Sequence, residues 1–418
     1  MKMRKKSKNT RPIELIHVSD IHFGSGEVHG KLNPETGLNV RLEDFQRAFA
    51  RCVDYALSVP VDVFLFSGDA YRNASPEPVY QKLFAEQLRR LSEAGVQTVL
   101  VVGNHDQIFK STSSHSMSVF QSLGVPNLII VDRPKLVNID TAGGVLQLVG
   151  LPYVTRHLLM TNEEYASASN AQIERVLAQH VDAVMKDLYE QLDPTLPAVA
   201  TAHIMVDSAR AGAEQELLVG YTTTFPLSSF VDPRLDYVAL GHVHKYQVLR
   251  AAAPAVVYAG SLERVDFSEE AEDKGFVHVH VAREATEYEF QSIGPRPFVT
   301  VDVNACEADD ATAAVCAAVA RDVVEGCVLR VRYRLREEQT ALFDQQRVIE
   351  AAACASMVHL KPDVLVAQRE SRIPSLTEST AVTPLAALET YLDNVAPERK
   401  ERLMSRASDL VTRLNIEE

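Results

Sequence analysis

The 418 residues are 46% hydrophobic, enough to bury a large core, and the length points to two or three domains rather than one. Five cysteines (Cys52, Cys306, Cys316, Cys327 and Cys354) with no CxxC spacing argue against a disulfide frame or a thiolate zinc site and for reduced thiols. The formal net charge of −14 weighs against a nucleic-acid partner, although a local basic groove or cations in an acidic site can still receive a phosphodiester. The basic start MKMRKKSKNTR is followed only by the short run IELIHVS, and no apolar run reaches the roughly eighteen residues of a membrane span. A cytoplasmic protein with no membrane partner is expected.

In chain order, apolar runs with strand character are IELIHVSD (13–20), VDVFLFSGD (61–69), VQTVLVVGNHD (96–106), LPAVATAH (196–203) and LDYVALGHVH (235–244). Each ends in Asp or His. Between the early ones, EDFQRAFARCVDYAL (43–57) and PEPVYQKLFAEQLRRLSEAG (76–95) repeat apolar residues at three and four spacing, which predicts helices. The alternation predicts an α/β layered domain. Ligands of such sheets gather beyond the carboxyl ends of the strands, so the five polar ends are expected to converge.

The first domain is expected to close with a meander, VVYAGS, GFVHVHVA and EYEFQSI, before the Pro-rich IGPRPFV near residue 295. The pattern then restarts, with PFVTVDV, CVLRVRYRL and a short MVHL as strands and DDATAAVCAAVARDVV and EEQTALFDQQRVIEAAACA as helices. The predicted domains are therefore 1–295, an α+β module over 296–370, a Ser/Thr/Pro linker over 371–383 and two helices over 384–418. Pro384 and Pro397 stand where first-turn prolines do. Leu403, Ala407, Leu410, Val411 and Leu414 form an apolar stripe on the second helix, a face that asks for a partner.

Asp20 and His22 are two residues apart, so in an extended chain both side chains leave one face. His242 and His244 repeat the spacing behind Gly241, while Asp69, Asn104 and His203 each stand at their own strand end. Seven oxygen and nitrogen donors without a thiolate exceed one tetrahedral zinc site but fill two sites if a carboxylate bridges, and Asp69 is the natural bridge. Such a dinuclear centre favours in-line displacement at phosphorus, with the metals ~3.5 to 4 Å apart. Mixed hard and imidazole donors suit two manganese ions (Mn2+), with magnesium or iron as alternatives. In GNHD, Asn104 offers an amide oxygen to the second metal, His105 points to the leaving oxygen as a proton donor or transition-state partner, and Asp106 can orient that imidazole. A plain turn with a capping Asp competes for GNHD taken alone, but five converging strand ends outweigh it. His278 and His280 share the two-residue spacing, yet valines flank them and no glycine ends the strand, so they are read as lining one strand face. His17 is read as a buried core or supporting histidine.

The ordered blocks D-x-H, GD, GNHD, AH and GHVH resemble the calcineurin-like metallophosphoesterase superfamily. LDYVALGHVHKYQVL, VVYAGSLERVDFSEEAEDKGFVHV and VGYTTTFPLSSF look like the bacterial SbcD nuclease family, the nuclease subunits of SbcCD complexes, and carry the likeness over almost the whole chain. The resemblance implies a sandwich of two β-sheets flanked by helices as the nuclease domain, a small α+β capping domain, and C-terminal helices that dock on the coiled coil of an SbcC-like ATPase. It implies that Asp20, His22, Asp69 and His244 hold one manganese and Asp69, Asn104, His203 and His242 the other, with His105 catalytic. The implied activity is hydrolysis of DNA, as an exonuclease on duplex ends and an endonuclease on single strands or hairpins, in repair, recombination and replication at the nucleoid. It also implies a homodimer within a heterotetramer, with Val79, Leu83, Leu88, Leu91, Val119 and Phe120 as the surface offered for pairing. One departure is Arg72, three residues after Asp69, where that family carries His or Asp; a guanidinium can grip a phosphate but cannot act as a general base. Two other functions compete. A stand-alone phosphoesterase acting on small nucleotides or phosphoproteins would need neither the 296–370 module nor an apolar terminal helix, and a non-catalytic DNA-end scaffold would not need seven intact donors.

Overall fold

The computed structural model describes residues 11–107, 114–155, 168–210, 223–365, 384–395 and 397–413. The expected linker over 371–383, the first four residues of VGYTTTFPLSSF, and Leu414 lie outside them. The first three apolar runs become strands β1 (Ile13–Val18), β2 (Val63–Phe66) and β3 (Gln97–Val101). Helix α1 (Val40–Ser58) starts where the Asn39 side chain accepts the Arg41 N–H, and α2 (Pro78–Glu93) starts on a proline. Then come α3 (Ser118–Leu123), β4 (Leu128–Val131) and a hairpin of β5 (Lys135–Thr141) and β6 (Gly144–Leu151). Helix α4 (Asn170–Glu190) opens with a Ser169/Gln172 capping box and leads to β7 (Ala198–His203). The remaining strands of this region are β8 (Met205–Val206), β9 (Thr224–Phe225), β10 (Tyr237–Gly241), β11 (Gln247–Arg250), β12 (Ala255–Tyr258), β13 (Gly275–Val281) and β14 (Glu287–Ser292).

These strands build two six-stranded sheets, ordered β14-β13-β1-β2-β3-β4 and β11-β12-β10-β7-β6-β5. Strands β1 to β4 are mutually parallel, as are β6, β7, β10 and β12. Side chains alternate between the faces of a strand, and both faces here are apolar. Leu15, Leu65 and Val99 meet Leu148, Val199 and Val257 in a core between the sheets. Ile16, Phe64 and Phe66 turn the other way, onto Phe45 and Phe49 of α1 and Phe84 of α2. On the far side Ala200, Val238 and Tyr258 are covered by Val181, Met185 and Tyr189 of α4. The result is the expected sandwich, helix on sheet on sheet on helix.

Two expectations fail. The meander does not form, because β12 pairs with β10 and β11 in the second sheet while β13 pairs with β1 and β14 in the first. Val277, Val279 and Val281 of β13 find their apolar neighbours in the shared core, so the chain changes sheet between β12 and β13. Nor do α2 and α3 offer the expected pairing surface. Leu83, Leu88, Leu91 and Phe120 are buried in the chain's own core, Val79 packs against it, and Val119 alone of the six is exposed. A three-and-four spacing marks an apolar face but does not say which neighbour covers it.

Further on, β15 (Phe298–Asn304), β16 (Val328–Arg336) and β17 (Met357–Leu365) form a three-stranded sheet, with α5 (Ala311–Asp322) and α6 (Gln345–Ala351) between them. Helix α6 is shorter than EEQTALFDQQRVIEAAACA predicted, because the Asp344 side chain caps it by accepting the Gln346 and Arg347 N–H groups. Helices α7 (Pro384–Val395) and α8 (Lys400–Arg413) are tied by Lys400 to Glu389 (3.0 Å) and Asp393 (2.8 Å). Two compact units result, one of residues 1–303, 312–333 and 344–361, the other of 304–311, 334–343 and 362–418. Among the described residues no helix is long and apolar enough to cross a membrane.

Within the larger unit the fully buried Arg41 meets Asp44 (2.6 Å), Glu263 (3.4 Å) and the Arg264 carbonyl (2.6 Å). Asp44 also binds Arg296 (2.5 Å) and Arg47 (2.6 Å). Removing one member of a buried charge group leaves the others uncompensated, so Asp44→Ala is expected to lower the unfolding free energy by ~3 to 5 kcal/mol in a urea titration. A loss below ~1 kcal/mol, the worth of a surface pair, would mean the group is effectively solvated.

Candidate metal centre

Strands β1, β2 and β3 are neighbours in one sheet and β7 and β10 in the other, and their carboxyl ends meet. Asp20 and His22 follow β1, Asp69 follows β2, Asn104 follows β3, His203 ends β7, and His242 and His244 follow β10. None of the seven is more than 9% exposed. The extended chain expected at Asp20 and His22 is not there: their φ angles are 53° and 52°, in the left-handed region. The side chains converge all the same, with His22 Nε2 3.6 Å from Asp20 Oδ1, because each turn aims its own residue. Among the described residues six non-glycine positions have positive φ, and four of them are Asp20, His22, Asp69 and His242. Such conformations cost ~1 to 3 kcal/mol each and persist only where the surroundings impose them.

The glycines of the GD, GNHD and GHVH blocks make room for this crowding. A Cβ at Gly68 would overlap the His203 ring, one at Gly103 the Asp69 carboxylate, and one at Gly241 the Ser67 carbonyl. Backbone donors then fix the acids. The His105 N–H donates to Asp69 Oδ1 (2.9 Å) and the His242 N–H to Asp20 Oδ2 (3.0 Å).

The donors fall into two groups that share Asp69. Its Oδ2 lies 3.5 Å from His22 Nε2 and 3.1 Å from His203 Nε2. Around the first gather Asp20, His22 and His244, with the Nε2 atoms of His22 and His244 3.0 Å apart. Around the second gather His203, His242 and Asn104, whose Oδ1 is 3.0 Å from both His203 Nε2 and His242 Nδ1.

This arrangement fits a pair of cations. His203 Nδ1–H donates to the Ser67 carbonyl (2.7 Å), so in a neutral ring Nε2 carries a lone pair, aimed at two oxygens, Asn104 Oδ1 and Asp69 Oδ2. His244 Nδ1–H donates to Glu269 (2.8 Å), so its Nε2 lone pair faces the His22 ring. His242 Nε2 is buried with no hydrogen-bond partner. Lone pairs that face one another repel unless a positive charge sits among them. The charge of Asp69 favours positive charge at the same place. Burial alone would lower the His203 imidazole, but the charge of Asp69 and its hydrogen bond outweigh burial and carry it up to about 9. Burial, then the charge of His203, hold His242 down to about 3. Burial works upward on Asp69, yet His203 and His105 keep its carboxyl well below the usual carboxylate range.

His105 is half-buried at the rim, and its Nδ1–H donates to the Arg72 carbonyl (2.8 Å). That corrects one expectation, because Asp106 does not orient the His105 ring. Asp106 instead accepts the N–H groups of Asp69 (2.9 Å), Ala70 (3.3 Å) and Gly103 (3.0 Å) and the Ser116 hydroxyl (3.0 Å), stapling the β2 and β3 ends together. Burial and then the nearby Asp69 charge push it up to about 6. Above the donors opens a cleft of about 270 Å³ walled by His22, Asn104, His105 and His244, with Arg72 and Glu27 at its sides. His17 stays in the core against Tyr237 (3.1 Å) and does not join the cluster.

Two contributors are not visible in the sequence pattern. Glu269, fully buried, orients His244 and is held by Lys274 (3.2 Å) and the Val265 N–H (2.7 Å). Burial raises its carboxyl, but Lys274 and His244 outweigh that and bring it to about 2. Nothing in SEEAED separates it from its acidic neighbours. Tyr153 sets its ring against His242 and His203, at centroid distances of 5.8 and 6.3 Å; it follows β6, which is not among the predicted strands.

Comparison with known proteins bears on this centre. Residues 13–246 match the family model described as calcineurin-like phosphoesterase. The SbcD subunit of the SbcCD nuclease of Escherichia coli K12 is 25% identical over 277 residues, 64% of this chain and 64% of that protein. The subunit of the same name from Bacillus subtilis is 25% identical over 303 residues, 69% of this chain and 71% of that one. The DNA double-strand break repair protein Mre11 of Haloferax volcanii is 28% identical over 293 residues, 69% of this chain and 54% of that one. The chain thus spans a little under two thirds of the Escherichia coli relative it matches. Since the family match takes in more than half of the 418 residues, and all five donor-bearing strand ends with it, the chain belongs to the calcineurin-like phosphoesterase family.

Proposed function

We propose that this chain is a two-metal phosphodiesterase that hydrolyses DNA, the nuclease subunit of an SbcCD-like complex acting in the cytoplasm at the nucleoid. The observation that carries the two-metal reading is the pair of donor groups that meet at Asp69, whose Oδ2 lies 3.5 Å from His22 Nε2 and 3.1 Å from His203 Nε2. The choice of DNA is supported by the nuclease and break-repair names of the relatives. Asp20, His22, Asp69 and His244 are assigned to one ion and Asp69, Asn104, His203 and His242 to the other. Manganese is the metal this mixture of carboxylate, amide and imidazole donors suits best.

When bound, two such cations lower the pKa of water and neutralise the charge on phosphoryl oxygens. The protein's own groups do the rest. The bond from His105 Nδ1–H to the Arg72 carbonyl fixes the ring and leaves Nε2 as the nitrogen that can serve the leaving oxygen. Arg72 borders the cleft, where its guanidinium can hold a phosphate but not take a proton. Residues 296–370 are assigned as a capping domain and the helices of 384–418 as the docking site for a coiled-coil ATPase. Leu410 of α8 is 58% exposed while Leu403, Ala407 and Val411 are half-buried, which supports a face awaiting a partner. A homodimer remains part of the reading, with Val119 and Leu123, both exposed, as the apolar residues α3 has left to offer.

The direct test is purified chain with manganese on labelled linear duplex, hairpin and single-stranded DNA beside a phosphomonoester. Cleavage of DNA is expected, and turnover of the monoester alone would point to a stand-alone phosphatase. His105→Ala should cut the rate by ~10² to 10⁴-fold while the manganese-loaded chain still holds two manganese ions; loss of one of them with the activity would make His105 a ligand. Asn104→Ala or His203→Ala should instead lose one ion. Deleting residues 380–418 should leave manganese-dependent cleavage of single strands intact and abolish co-purification with the ATPase and ATP-stimulated duplex cleavage. A truncated chain that misfolds would place those helices in the core.

A further inference from the structure

At the opposite end of β1 from Asp20, three more metal-ligating side chains come together. Glu14 lies directly across from His280 in the β1–β13 pairing, and His278 is two residues from His280 on the same strand face. His278 Nε2 is 2.9 Å and His280 Nδ1 2.7 Å from the same oxygen, Glu14 Oε2, and the ring centroids are 4.5 Å apart. The donor atoms of the trio all lie within 4.8 Å of one another. Glu14 is six residues before Asp20, so at a rise of ~3.3 Å per residue the trio sits roughly 20 Å from the two-metal centre.

We propose that Glu14, His278 and His280 form a second, mononuclear metal site of the zinc class, separate from the phosphoesterase centre. Two imidazoles and one carboxylate are a donor set that zinc takes with a fourth position left to water. His278 is 7% exposed, whereas the His280 side chain is 39% exposed, so one wall of the site is dry and the other admits solvent. Burial, then the charge of His280, lower the His278 pKa, which favours the neutral ring, the form that ligates.

The outer support is also in place. The Tyr55 hydroxyl is 2.9 Å from His278 Nδ1. A hydroxyl can donate to that nitrogen or accept from it, so Tyr55 holds the ring in the same orientation whichever nitrogen carries the proton. When the metal takes Nε2, the Nδ1–H donates to Tyr55, the arrangement that orients metal-bound histidines generally. Glu289 and Glu287 stand opposite His278 and His280 on β14, and cross-strand partners share a face, so two more carboxylates add negative potential beside the trio. A metal here ties β1 to β13. The strand that carries Asp20 and His22 is thereby clamped at its other end.

The test is zinc content after equilibrium dialysis against micromolar free Zn2+, for the wild-type chain and for Glu14→Gln/His280→Asn. The wild type should hold one more zinc per chain than the variant, and the phosphoesterase rate with manganese should be equal in the two. Anomalous diffraction from zinc-soaked wild-type crystals should give a peak ~2.0 to 2.1 Å from a nitrogen of each histidine. Equal zinc contents, or no peak between the three side chains, would overturn the proposal.

Discussion

Holding donors of the same kind close together in a dry place is the constraint on which the head of this molecule depends. His203 Nε2, Asn104 Oδ1 and Asp69 Oδ2 lie about as close as hydrogen-bonded partners, 3.0 to 3.1 Å from the nitrogen, yet a neutral His203 that donates Nδ1–H to Ser67 has no proton for either oxygen. Left to relax, such groups would turn outward to water. The fold does not allow it, because backbone carbonyls and N–H groups grip the far side of the donors and left-handed turns set their direction. The four strained residues and the space under Gly68, Gly103 and Gly241 are what this arrangement costs the chain.

Support for the centre runs outward through both sheets. Ser67 joins them, bonding Thr201 across the gap (3.1 Å) while its carbonyl holds His203. Asp106 ties the β2 and β3 ends, and Glu269 reaches in from the crossover between the sheets to hold His244. That crossover is the segment whose sequence suggests a meander. The change of sheet therefore has a chemical use, since it brings a buried carboxylate and Lys274 against the last histidine.

The same imidazole takes different roles by environment alone. Burial lowers the pKa of His17 in the core against a tyrosine, Asp69 and Asp20 outweigh burial and raise that of His203, and burial and then the charge of His203 lower that of His242. His105, half-buried with one nitrogen bonded to a carbonyl, keeps the other toward the cleft wall. His278 and His280 show how much a partner matters. As residues of one strand they look like ordinary face residues, and only Glu14 on the neighbouring strand makes a donor set of them.

Much of this was legible in the linear chain. The strands, the two early helices and the five polar strand ends follow from apolar period and punctuation, because an alternating or three-and-four pattern has one low-energy way to be buried. The seven donors stood out because Asp, His and Asn directly after buried strands are expensive anywhere else. What covers the apolar faces of α2 and α3 was not legible, since a stripe does not name its neighbour. Nor was the supporting layer. Glu269, Asp106 and Glu14 act on residues 25, 37 and 264 positions away, and no local period encodes such distances. Sequence determined which groups could do the chemistry; tertiary structure alone decided which of them touch, because contact across two sheets depends on register and crossover rather than on spacing along the chain.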